Sequence, residues 1–169
     1  MNKKIKPFKD VCKVCHSLQR KGKKIVFVHG FFDILHKGHV TLLVEAKKLG
    51  DVLVVGVDHD DNAKILKGPN RPINDHNSRM FVLANLEAVD YVFLIDSFKK
   101  TIIGKDLEAL CVRYYEKLRP DIVATCVKAG KYGDLKRRQA EAVGIKFVDI
   151  KNSLYDIGTS KIIKILGLE

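Results

Sequence analysis

The sequence contains no apolar run long enough to cross a bilayer. Its basic start, Met1-Asn2-Lys3-Lys4-Ile5-Lys6-Pro7, is not followed by the apolar stretch a signal peptide requires. A chain that stays in the cytoplasm, with no membrane partner, is therefore expected. Also missing is a second closely spaced cysteine pair of the kind a structural zinc site needs; the four cysteines are Cys12, Cys15, Cys111 and Cys126. The run Cys12-Lys13-Val14-Cys15-His16 matches the covalent haem pattern, but such attachment requires export. Phe8, Val11, Cys12, Cys15 and Leu18 also fall on one helical stripe, so small buried side chains are the reading that fits. No aromatic and basic pattern of an RNA-binding sheet occurs, and the basic residues are spread along the chain instead of gathered in a tail. The net charge of +11 thus attracts anions without selecting nucleic acid, which is not an expected partner.

What is present is a regular alternation. A length of 169 residues suits one domain with one core, and neither repeats nor low-complexity linkers interrupt it. The pattern predicts a helix near 7–20, forming an N-terminal extension over 1–22 ahead of a domain over 23–169. Lys24-Ile25-Val26-Phe27-Val28 reads as a strand buried on both faces, and Val40 to Leu49 as a helix ended by Gly50. Strands follow at 52–57, 91–95, 121–125 and 146–150. Helices are expected at 75–88, 105–118 and 135–143 and from Thr159 onward, with a polar stretch before Asp75. Repeated βα units imply a single-domain α/β fold, Rossmann-like and doubly wound, with five parallel strands and ligands at their carboxyl ends.

The first strand's carboxyl end runs into His29-Gly30-Phe31-Phe32-Asp33-Ile34-Leu35-His36-Lys37-Gly38-His39. Gly30 lets main-chain amides face a phosphate, and Gly38 lets one lie against the start of the following helix, where unpaired N–H groups favour an anion. His36 and His39 flank Gly38, so both rings can donate to the same polyphosphate; the competing reading is that they only cap the helix. Asp33 is expected to organise the loop through hydrogen bonds to backbone, because a carboxylate beside phosphates repels them. Asp58, His59, Asp60 and Asp61 are read as solvating a loop and capping a helix in preference to binding metal.

Gly30-Phe31-Phe32-Asp33 and His36-Lys37-Gly38-His39 together resemble the signature of the cytidylyltransferase-like nucleotidyltransferases. The resemblance continues through Lys67-Gly68, Arg71-Pro72, Arg79, Val89-Asp90 and Gly158-Thr159-Ser160-Lys161, covering roughly residues 24–166. Within the family, Lys67 to Asn74 is most similar to heptose 1-phosphate adenylyltransferases, with glycerol 3-phosphate cytidylyltransferases next. Four features depart from the pattern: Phe31 in place of a small or hydroxyl residue, Ser153 where cytidylyltransferases carry Arg, Gly158 in place of a common Ser, and altered spacing with extra positive charge over Cys126 to Asp134.

The resemblance implies attack by an acceptor phosphate on the α-phosphorus of ATP, with magnesium as cofactor and a phosphorylated sugar as acceptor. CTP with an alcohol phosphate is the alternative, and a non-catalytic nucleotide- or RNA-binding module the alternative of another class. His36, His39 and Lys67 are the candidate catalytic residues. Gly30, Phe31, Phe32, Gly38, Arg79, Gly158, Thr159 and Ser160 are candidates for the nucleotide, and His29, Asp58 and Lys64 for the acceptor. Bland readings stand beside these: Lys67 as a loop lysine, Lys64 as a solvated helix charge, Arg79 in a surface salt bridge, and Thr159 and Ser160 as an N-cap. A homodimer is expected because relatives commonly form one.

Overall fold

Alternate side chains of the strand β1, Ile25–Gly30, enter two different cores, because successive residues of a strand point to opposite faces. A computed structural model describes residues 2–97, 105–129, 132–151 and 159–167, with backbone alone for 105–110, 129 and 160. Its elements are α1 (Phe8–Gln19), β1, α2 (Lys37–Lys47), β2 (Val52–Asp58), α3 (Asp60–Lys67), α4 (His76–Ala84) and β3 (Tyr91–Ile95). There follow α5 (Lys105–Leu118), β4 (Ile122–Thr125), a 3₁₀ turn at Val127–Ala129, α6 (Gly133–Ala142), β5 (Lys146–Asp149) and α7 (Thr159–Ile165).

The five strands are parallel in the order β3-β2-β1-β4-β5, as the βα alternation requires. On one face Val26, Val28, Leu53, Val55 and Val92 meet Leu42, Leu43 and Ala46 of α2 and Met80 and Leu83 of α4. On the other, Ile25, Phe27, Val54 and Phe93 meet Val11 and Cys15 of α1 and Tyr114, Tyr115 and Leu118 of α5. The expected N-terminal extension thus lies against the sheet. Lys4 and Lys6 also exchange backbone hydrogen bonds with Val92, at 2.9 and 3.1 Å. Cys15 is fully buried and its thiol is pushed up to about 12 by desolvation, with Cys12 and Asp90 adding to the effect, in keeping with a core role.

Boundaries differ from the sequence reading: β1 runs on to Gly30, α2 begins at Lys37 and ends at Lys47, and the region between β2 and β3 changes most. Asp60–Lys67 is helical where a polar stretch was expected. The ring of His59 accepts from Asp61 N at 3.2 Å as the N-cap, and the Asn62 amide donates to the Asp96 carbonyl at 3.0 Å. Tertiary anchoring of a short, polar segment is what its periodicity could not report. The next helix, α4, starts after Asp75, whose carboxylate accepts from Ser78 N at 2.8 Å, and ends at Ala84 instead of reaching residue 88.

The amino edge of the sheet is closed by carboxylates. Asp51 accepts from Lys24 N at 2.8 Å and Lys23 Nζ at 3.0 Å, Asp90 from Leu53 N at 2.6 Å and Lys47 Nζ at 2.5 Å, and Asp121 from Ile25 N at 2.7 Å. At the carboxyl edge β1 stays paired with β2 as far as Gly30, but with β4 only through Phe27. The strand order reverses there, and the two connections leave on opposite sides, opening a crevice. Among the described residues, no helix is long and apolar enough to cross a membrane.

Candidate active site

The β1–α2 connection is held in shape by two arginines. Asp33, buried at 4 % exposure, accepts a hydrogen bond from Arg71 Nε at 3.0 Å on one oxygen, and the guanidinium Nη2 stands 2.8 Å from the same oxygen as an ion pair. Its other oxygen accepts from Ile73 N and Asn74 N, both at 2.9 Å, and the Asn74 amide returns a bond to its carbonyl at 2.8 Å. Asp33 therefore organises the loop, as its chemistry suggested. Arg79 is not on the surface: it is 2 % exposed, and it donates to the carbonyls of Phe31, Asn74 and Asp58 and to the carboxylate of Asp60. Periodicity misplaced it because a guanidinium can lie in a core when enough acceptors converge on it. Asp60, which also takes His76 Nδ1 at 2.8 Å, is raised by burial. Its bonds from Arg79 and His76 outweigh that and hold the carboxyl below its ordinary range.

So clamped, the loop puts Phe32 in the left-handed region at φ 50°, a conformation that a bulky residue adopts only where its surroundings impose it. The Phe32 ring meets His39 edge-on at 5.3 Å, and His39 stacks on His36 with centroids 3.9 Å apart. His36 is the N-cap of α2 but makes no side-chain capping bond, and the first turn holds no acidic residue. This helix start is thus electropositive and offered to an anion.

Both rings are held neutral. Burial lowers His36, and His39 is lowered to about 3 by burial, with His36 and Lys67 adding to the effect and the Ile34 carbonyl and Asp33 opposing it. His39 Nδ1 is buried and has no formed hydrogen bond among the described residues. A neutral imidazole carries one N–H and one acceptor nitrogen, so the pair can present donors without adding two fixed charges to a site that already holds lysines.

Lys67 ends α3, one residue before Gly68, with its ammonium 4.5 Å above the Phe31 ring. Although the residue is exposed, desolvation lowers its ammonium. Arg71 and Lys136 add to the effect, and Asp33 and Asp58 oppose it. Thr159, at the start of α7 and 9 % exposed, donates to the Ile34 carbonyl at 3.3 Å, which brings the closing segment to the loop. Gly158 and the Ser160 side chain lie outside the described residues.

Two candidates are not brought to this group. Lys64 is exposed on α3, a turn before Lys67. The His29 ring lies on the opposite face of the sheet from α2, stacked on Phe27 at 5.4 Å and bonded to Tyr115 OH at 2.9 Å, and burial drives it far below the ordinary histidine range. In β1 it shares the face of Phe27, two residues away, which removes its ring from the loop side.

Lys136, in the first turn of α6, is a residue that sequence reasoning missed. Its ammonium donates to the His29 carbonyl at 2.6 Å, beyond the last β1–β4 pair, and so reaches across the crevice. Asp58, at the end of β2, lies within its field. Burial lowers Lys136, with Asp58 and Cys111 opposing, and raises Asp58, with Lys136, Arg79 and Lys67 opposing. The only hint in the sequence was the extra positive charge after β4, which does not reveal which lysine turns inward.

Among the described residues, no group of three or more His, Cys, Asp or Glu side chains could hold a metal ion. A hard cation in this crevice would draw most of its ligands from phosphates and water, the usual condition of magnesium with a nucleotide.

Residues 27–164, from β1 into α7, match the model of a protein family described as cytidylyltransferase-like. The chain belongs to that family. Among its relatives, the bifunctional protein HldE of a Nitratiruptor species is 52 % identical over 92 residues, covering 54 % of this chain and 20 % of that protein. The bifunctional protein HldE of Desulfatibacillum aliphaticivorans is 33 % identical over 164 residues, covering 95 % of this chain and 30 % of its own length. The chain therefore spans less than a third of either relative. A solved structure, the lipopolysaccharide core biosynthesis protein from Thermoplasma volcanium, aligns with a TM-score of 0.60 at 30 % identity, over 78 % of this chain and 98 % of that one. The pantoate-beta-alanine ligase of Francisella tularensis, 18 % identical with a TM-score of 0.62 over 89 % of this chain and 68 % of that one, shares the fold.

Proposed function

We propose that this chain transfers the adenylyl group of ATP to a sugar phosphate of the heptose 1-phosphate class and releases pyrophosphate. The observation that carries this reading is the stacked, neutral His36–His39 pair at the uncapped start of α2, with Lys67 in its field. An acceptor phosphate oxygen attacks the α-phosphorus, the bond to the bridging oxygen breaks, and pyrophosphate departs. The acceptor is already ionised near neutral pH, so no side chain has to remove a proton, and alignment and charge stabilisation suffice.

In this mechanism His36 and His39 donate to the α-phosphate and to the departing pyrophosphate. Lys67 offsets charge on the triphosphate, and Gly30, Phe31, Phe32 and Gly38 offer backbone to it. Thr159, with Gly158 and Ser160, lines the same phosphates. Arg79 serves at one remove, by fixing the Phe31 carbonyl. Magnesium, carried by the triphosphate, supplies further charge neutralisation. ATP and a sugar acceptor are favoured by the Lys67 to Asn74 stretch and by the relative from T. volcanium, whose description concerns lipopolysaccharide core biosynthesis. Such chemistry belongs in the cytoplasm. Ile73, Phe81 and Val82, exposed at 44, 60 and 46 % along and before α4, favour pairing of two copies; light scattering after gel filtration would read twice the chain mass.

The test is pyrophosphate release from ATP and from CTP with magnesium, against heptose 1-phosphate, mannose 1-phosphate, glycerol 3-phosphate and phosphocholine. Release that requires ATP and a sugar 1-phosphate is the expected result. Dependence on CTP and glycerol 3-phosphate would transfer the assignment to a cytidylyltransferase, and binding of nucleotide with no release from any pair would point to a non-catalytic module.

A further inference from the structure

The catalytic reading leaves two charged groups without a task. Lys136 and Asp58 approach the crevice from opposite sides, one from α6 beyond β4 and the other from the end of β2. They influence each other electrostatically, yet they do not close into an ion pair. Of its three N–H donors, Lys136 directs one to the His29 carbonyl. Asp58 takes the Asn62 side chain and is left with further lone pairs. A neutral donor would serve a single backbone carbonyl equally well. Placing an ammonium there, with a carboxylate held short of it, is costly unless something else completes both.

The position of the gap narrows what fits. In register, His29 stands opposite Gly56, so Asp58 begins one strand over and two residues further toward the open edge. The gap therefore lies at the mouth of the crevice, on the side away from the His36–His39 stack, which α2 carries over the other face of the sheet. A ligand bridging it needs an anionic oxygen for Lys136 and hydroxyl hydrogens for Asp58, a combination that a polyhydroxylated phosphate ester supplies in one molecule.

We infer that Lys136 and Asp58 form the acceptor subsite of this cleft, Lys136 holding the acceptor phosphate and Asp58 accepting from hydroxyls of its sugar. The inference rests on the transferase reading above and adds to it a residue, Lys136, that lies outside the G-x-F-D and H-x-G-H segments. Lys136 then sets acceptor choice, and Lys67, from the β2 side, stays with the triphosphate. Gly133 supports this arrangement: a side chain there would meet Val127 Cα at 2.5 Å, so the close approach of α6 that delivers Lys136 depends on glycine.

The test is calorimetric titration of the full chain, saturated with α,β-methylene-ATP and magnesium, by mannose 1-phosphate, mannose and inorganic phosphate. Wild type should prefer mannose 1-phosphate over both fragments. Lys136→Met should weaken mannose 1-phosphate by about tenfold to a hundredfold while leaving mannose and the nucleotide analogue within about threefold, the loss expected for one charge-assisted hydrogen bond. Lys136→Arg should recover most of it. Asp58→Asn should weaken mannose 1-phosphate but not inorganic phosphate. Equal weakening of mannose, mannose 1-phosphate and the analogue by Lys136→Met would make the lysine a strut between α6 and β1 and overturn the proposal. So would a wild type that binds the analogue but holds mannose 1-phosphate no better than phosphate, an outcome that leaves the nucleotide half of the transferase reading intact. A wild type that fails to bind the analogue would overturn both.

Discussion

The two edges of the sheet handle charge in opposite ways. At the amino edge, Asp51, Asp90 and Asp121 each accept a backbone N–H, and each also accepts from a side chain, Lys23, Lys47 and Gln19 respectively. At the carboxyl edge His36, His39, Lys67 and Lys136 are all shifted toward their neutral forms by burial. One edge pairs its acids within the chain, and the other gathers bases in desolvated surroundings. The difference teaches where to look for each property: stability is concentrated among the acids, and chemistry among bases held ready at some electrostatic cost.

That contrast can be broken from either side. The largest effect is expected from His39→Ala, which should lower pyrophosphate release by about a hundredfold to a thousandfold, the scale for losing one transition-state donor. Its thermal unfolding should change little. Gly133→Ala, which forces a side chain against Val127, should destabilise the fold by about 1–3 kcal/mol in chemical denaturation and weaken the acceptor more than ATP. Asp90→Ala should cost about 1–2 kcal/mol by removing the bonds to Leu53 N and Lys47, while turnover per folded molecule stays at the wild-type level.

The smallest effect is a pH slope. A histidine whose folded pKa lies below its unfolded value binds fewer protons when folded. Its contribution is complete above the ordinary value of 6.5 and is lost as pH falls from there. Unfolding free energy should therefore decline on acidification below about pH 6.5. The share due to His39 should continue down to about pH 3 and should be absent from the slope of His39→Ala, measured by denaturant titration at successive pH values.

The alternation of strands and helices was legible because buried parallel strands write themselves as runs such as Ile25-Val26-Phe27-Val28, and because Gly50 and Thr159 mark helix ends. The loop residues His36, His39 and Asp33 stood out because eleven consecutive residues contain all three, whereas the partners that clamp Asp33, namely Arg71, Ile73 and Asn74, lie 38, 40 and 41 residues away. Arg79, Lys136 and the inward His29 ring were not legible. Arg79 finds acceptors 48, 21 and 5 residues away, and Lys136 reaches a carbonyl 107 residues away. A helical charge is read as solvated unless such partners are known, and only the fold supplies them. The cap of α3 was read at 58–61, but its extent through Lys67 was not, since the Asn62 anchor is tertiary.

The most direct test of the central claim, that the carboxyl edge is a triphosphate site built on the His36–His39 pair, is a crystal structure with α,β-methylene-ATP and magnesium. The account predicts the triphosphate at the start of α2, with ring nitrogens of His36 and His39 and the ammonium of Lys67 within hydrogen-bond distance of its oxygens. A triphosphate bound elsewhere on the chain, with no oxygen near either histidine, would contradict it.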